Sequence, residues 1–102
     1  MSSDTFLGLP FNIASYALIA NIYAKMNNLK VGELVAQLGD SHIYSNHIDV
    51  IKEQIRREPL PLPILKLSDR VKGFESISEI ELEDIELLHY QSHGILKAPQ
   101  AF

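Results

Sequence analysis

Four histidines, His42, His47, His89 and His93, are the side chains here best able to move a proton or hold a metal near neutral pH. Their spacing matches no zinc pattern. There is no helical HExxH, and the chain has no cysteine to complete a ligand set. No metal site is expected. Asp40, Ser41 and His42 have the residue types of a hydrolytic triad, but adjacent residues cannot present one, and no GxSxG turn exists. Without cysteine there is no thiolate nucleophile either. The chain reads as one that binds, with no catalytic residue of its own.

Among binding candidates, Asn12 offers a donor and an acceptor side by side, the complement of the N3–H and O4 of uracil or thymine. A structural asparagine serving nearby backbone groups is the plainer alternative. His42 and Tyr44 stand two apart, so in a strand they share one face and could grip a single sugar hydroxyl. Ordinary hydrogen bonds are the alternative for both. Ser2, Ser3 and Asp4 bring hydroxyls and backbone N–H groups that suit a phosphate, or else form a frayed end. Gly8 lets a flat ligand approach closely, or simply turns the chain.

These residues need elements to position them. Thr5 to Leu7 suit a strand end, and Pro10 suits a first helical residue. Residues 12–28 predict a helix with Asn21, Lys25 and Asn28 on one narrow solvated stripe. Nearly all else on it is apolar, so the helix is expected to be buried over most of its circumference. Asn12 and Ser15 fall on the inward side, where an amide must find partners. Residues 33–44 read as a strand interrupted at Gly39. Ser45 is placed to cap a helix running to about Arg57, with Ile48, Ile51 and Ile55 on one face. Glu58-Pro59 ends it, and Pro59, Pro61 and Pro63 force an extended path into a strand over 64–67. Residues 77–88 alternate like a strand that could open with a helical turn, and 89–102 are loop-like. The fold class is α/β or α+β: a mixed sheet of three or four strands, a long buried helix and an amphipathic helix.

The 102 residues suit one domain, 1–102. Hydrophobic residues make up 46% and charged ones 22%, which argues against wholesale disorder. Nine basic against 13 acidic residues do not provide the basic face of a general nucleic-acid binder. No apolar run reaches the roughly 18–20 residues of a membrane span, and Met1 to Asp4 do not open a signal peptide. A cytoplasmic protein without nucleic-acid or membrane partners is expected.

Taken together, SSDTFLGLPFNIASYAL at 2–18, GDSHIYSNH at 39–47, REPLPLP at 57–63 and HYQSHGILKAPQAF at 89–102 resemble the C-terminal part of the thymidylate synthase family. Order and spacing agree along essentially the whole chain. The resemblance implies methylation of dUMP to dTMP, with 5,10-methylenetetrahydrofolate as carbon donor and reductant. It implies that Ser2 and Ser3 lie near the phosphate, and that Asp4 meets the pterin and, through its backbone, the pyrimidine. Leu7, Gly8 and Phe11 would line the folate pocket, and Asn12 would read the uracil edge. His42 and Tyr44 would bind the deoxyribose 3′-hydroxyl, and Ala101 and Phe102 would close over the folate.

The sequence also departs from the family pattern. The family attacks C6 of the pyrimidine with a cysteine, and this chain has none. Met1 stands where the family has a phosphate-binding arginine, Gly94 where it has a proline, and Phe102 where it has an aliphatic residue. The chain alone is therefore expected to be inactive, needing a homo-oligomer or an N-terminal half as partner. The rival reading is a non-catalytic assembly or dimerisation fragment.

Overall fold

The computed structural model describes residues 3–99. The chain forms two compact units. Among the described residues, one comprises 3–14, 35–60 and 92–99, and the other comprises 15–34 and 61–91. Helices and small sheets alternate, a mixed α/β arrangement. The longest element, α1 (Leu9–Met26), begins in the first unit and continues in the second.

In the first unit, β1 (Ser3–Asp4) pairs in parallel with β2 (Ser41–His42), placing Asp4 opposite His42. Ser3 N–H to the Asp40 carbonyl (2.6 Å) and Thr5 N–H to the His42 carbonyl (3.0 Å) extend the ladder. The chain then turns into α1, with Gly8 N–H on the Asp4 carbonyl at 3.1 Å. A 3-10 turn over Ser45–His47 leads into α2 (Ile48–Arg56). Neither turn nor helix has a side-chain cap, so Ser45 does not act as the expected one. Asp49 in the first turn of α2 and Arg56 in the last suit the helix dipole instead.

In the second unit, β3 (Ile64–Leu67) pairs antiparallel with β4 (Ile85–Leu88), and Lys66 faces Glu86 across the ladder. A 3-10 turn, Asp69–Gly73, is capped by the Ser68 hydroxyl and buries Val71 completely. Further turns at Ile77–Glu79 and Leu82–Asp84 precede β4, the helical opening allowed for 77–88.

Three expectations are corrected. The strand of 33–44 is reduced to Ser41–His42, because β1 offers only two residues to pair with and residues 29–40 lie exposed. The strands form two two-stranded sheets, not one. The long helix is not buried over most of its surface: Ile22 is its one buried residue, while Phe11 (77%) and Tyr16 (61%) are exposed. Its polar stripe is the better covered side. Asn21 and Lys25 are half-buried and, with Asn28, Leu65, Leu67 and Lys72, line an open cleft of about 300 Å³. Lys25 turns inward because its ammonium donates to the Leu67 carbonyl at 2.7 Å and lies 3.4 Å from Asp69. Asn21 satisfies its amide on the Ala17 carbonyl of its own helix.

Helix α1 ends in a left-handed cap. Asn28 has φ 54°, its N–H meets the Lys25 carbonyl, and Leu29 N–H reaches back to the Ala24 carbonyl at 2.8 Å. This is the Schellman arrangement, in which a β-branched side chain is strained. Asn28→Val is expected to lower unfolding free energy by about 1–2 kcal/mol, and Asn28→Gly to leave it unchanged or slightly raised. Urea titration of both variants checks this.

Asp84, 3% exposed, accepts from the Glu81 N–H at 2.9 Å and forms a two-pronged pair with Arg70 at 3.1 and 3.2 Å. The Glu81 N–H first, then Ser68 and Arg70, hold its carboxyl below the usual carboxylate range, outweighing the opposing effect of burial. A carboxyl depressed by folding stabilises the native state above its unfolded-state pKa, and that contribution fades as pH falls through the folded value. The urea midpoint is therefore expected to drop below about pH 4, and Asp84→Asn to make that drop shallower.

Candidate functional site

Every candidate side chain among the described residues falls in the first unit: Ser3, Asp4, Leu7, Gly8, Phe11, Asn12, His42 and Tyr44. Ser2 and Ala101 lie outside the described residues, as does Phe102. The parallel β1–β2 pairing assembles the centre, because it sets Asp4 beside His42 despite their distance in sequence. The expected shared face of His42 and Tyr44 takes the form of an edge-to-face ring contact, centroids 4.7 Å apart at 80°. The His42 ring also has Asp40 at 3.9 Å from Nδ1.

Asp4 fixes the turn behind β1. Its carbonyl takes the Gly8 N–H, and its carboxylate lies 3.5 Å from the Leu7 N–H. Gly8 is not in the left-handed region, and an added Cβ would meet Asp4 only at an ordinary 3.5 Å. The fold does not require glycine there, and Asp4 already occupies the side on which a Cβ would stand. Phe11 and Asn12 stand on the first turns of α1, both exposed. The inward, buried amide expected of Asn12 is thus corrected. Among the described residues, its amide is left exposed on the helix surface.

One residue of this cluster was missed by the sequence reading, which weighed His47 only as a metal ligand. It is completely buried. Phe6 and Tyr44 flank its ring at 5.5 and 5.6 Å, and its Nδ1 lies 3.8 Å from the Asp4 carboxylate. Its Nε2 is 2.7 Å from the Pro99 carbonyl. The available signal was its place just before the amphipathic run of Ile48, Ile51 and Ile55, where the chain enters a helix.

The C-terminal segment has no regular structure through residue 99 yet is fastened to this unit three times. His93 Nε2 meets the Glu58 carbonyl (2.8 Å), Arg57 donates to the Gly94 carbonyl (2.6 Å), and His47 holds Pro99. Arg57 and Arg56 also pair with Glu53, whose carboxyl the Arg56 hydrogen bond holds below its ordinary range. Among the described residues, no group of three His, Asp or Glu side chains is placed to hold a metal ion, and no helix is long and apolar enough to cross a membrane.

The thymidylate synthase family model matches residues 1–102. The thymidylate synthase of Staphylococcus haemolyticus (strain JCSC1435) is 52% identical over 100 residues, covering 98% of this chain and 30% of that protein. That of Mycoplasma mobile (strain ATCC 43663 / 163K / NCTC 11711) is 46% identical over 100 residues, covering 98% of this chain and 34% of that protein. The chain belongs to the thymidylate synthase family. It spans about a third of the length of these curated relatives.

Proposed function

We propose that this chain supplies the uracil-, deoxyribose- and folate-binding part of a site that methylates dUMP to dTMP. The observation that carries this reading is the gathering of Asp4, His42 and Tyr44 around one parallel strand pair in a family member. His42 and Tyr44 present an imidazole and a phenol in edge-to-face contact, a donor–acceptor pair suited to one sugar hydroxyl. The Asn12 amide, free of the protein interior, is available to pair with N3–H and O4 of uracil. Ser2 and Ser3 lie near the phosphate on this reading.

The residues fit 5,10-methylenetetrahydrofolate as co-substrate. Phe11 offers an exposed ring, Gly8 stands on the turn next to it, and the Asp4 carboxylate can accept from ring N–H groups. Leu7 adds apolar lining, and Ala101 joins from the C-terminal end. Bound there, the folate supplies the one-carbon unit and the reducing equivalents. This chain's own residues bind and orient; the thiolate that would attack C6 must come from a cysteine elsewhere. A homo-oligomer or an N-terminal half, in the cytoplasm, completes the assembly.

The purified 102-residue chain is expected to form no dTMP, and mixing it with a cysteine-bearing N-terminal part of a family member is expected to produce turnover. Loss of a nucleophile removes a route rather than a fraction of rate. Turnover by the chain alone, surviving removal of host enzyme, would overturn the reading. A second reading, a non-catalytic assembly fragment, draws on the exposed apolar faces of α1.

A further inference from the structure

We infer that His47 is a positioning residue that ties the C-terminal segment and the Asp4 carboxylate to one buried ring. The two ring nitrogens have different surroundings. A carbonyl only accepts, so the 2.7 Å contact requires Nε2 to carry a proton and donate to Pro99. Nδ1 is then the ring's other hand. It is buried, has no hydrogen-bond partner among the described residues, and lies 3.8 Å from the Asp4 Oδ1. Buried polar atoms are seldom left unpaired, so an orphan beside a carboxylate is a place where one proton or one small donor joins the two. The Phe6 and Tyr44 rings pack on either side and restrict the imidazole. Asp4 in turn holds the Leu7–Gly8 turn through its carbonyl. The ring therefore links the chain near Pro99 to the turn that presents Leu7, Gly8 and Phe11. The tether stands on this geometry; its meaning for folate rests on the function proposed above.

Two variants separate the nitrogens. The amide nitrogen of His47→Gln reaches the Nε2 position and keeps the Pro99 bond, while that of His47→Asn reaches only the Nδ1 position. In the labelled wild-type chain, a long-range proton–nitrogen spectrum should show His47 protonated at Nε2; a bare Nε2 would overturn the tether. Backbone order parameters at Leu96 to Ala98 should stay near those of rigid backbone, about 0.85, in wild type and His47→Gln. In His47→Asn they should fall below about 0.6. The Asp4 and Leu7 amide resonances should move in His47→Gln. Equal order parameters in both variants would reduce His47 to filler. In an assembled, active enzyme His47→Asn, which breaks the Pro99 bond, should raise the folate KM about tenfold, the cost of one hydrogen bond, and raise it more than His47→Gln does. If the assembly never turns over, the functional reading fails while the spectroscopic arms still decide the tether.

Discussion

Replacing Asn12 by aspartate is expected to move the base preference of the assembled site from dUMP toward dCMP by about 10²–10³ in the ratio of kcat/KM values. The amide accepts from uracil N3–H and donates to O4. A carboxylate still accepts from N3–H but sets an acceptor against O4, so dUMP loses one bond and gains a repulsion. Cytosine carries the opposite pattern, an acceptor at N3 and an amine at N4. A carboxyl group can accept from that amine, and in its protonated form can donate to N3. Two mismatched polar contacts are worth about 3–4 kcal/mol, which sets the magnitude at 1.4 kcal/mol per tenfold. Because Asn12 is exposed on α1, stability should change by less than about 0.5 kcal/mol. Measuring kcat/KM for both nucleotides with wild type and variant decides it, and an unchanged ratio would remove Asn12 from base recognition.

The second large effect concerns α1. Ile13, Tyr16, Ile19 and Tyr23 are exposed on a helix whose only buried residue is Ile22. Covering one such side chain is worth about 1.5–3 kcal/mol, so two aromatics rival the whole stability of a small domain. The chain alone is expected to associate at high concentration. Tyr16→Lys with Tyr23→Lys should return it to monomer by light scattering, with little change in the urea midpoint. Adding a cysteine-bearing N-terminal part should raise the wild-type midpoint far more than that of the double variant. A strict monomer from the unsubstituted chain would count against both the assembly reading and a need for a partner.

Local signals were legible where they close on themselves. Ile48, Ile51 and Ile55 between Ser45 and Pro59 located α2, and the prolines before Ile64 located β3 to the residue. Helix α1 was legible as a helix but not in its burial. An apolar pattern states what a surface wants, and here no covering surface is found among the described residues. The polar stripe was assigned to solvent because spacing alone cannot reveal that a lysine will cap the end of β3. In the site, the period of two linked His42 with Tyr44. Neither Asp4 beside His42 nor His47 beside Asp4 follows from any local pattern, since both join segments far apart in sequence.

That parallel pairing also orders the making of the molecule. During synthesis, Ser3 has no strand partner until Ser41 has emerged, and Asp4 none until His42. Lys66 and Glu86 close a span about half as long, and each doubling of a closed loop costs only about 0.6 kcal/mol, so entropy favours the second sheet modestly. Stiffness adds to the difference, because much of the span between β1 and β2 is the helix α1, which must first wind up. The antiparallel sheet is thus placed to condense early on its own segments, whereas the centre around Asp4 also needs the residues near Pro99, which are synthesised after both strands of that sheet.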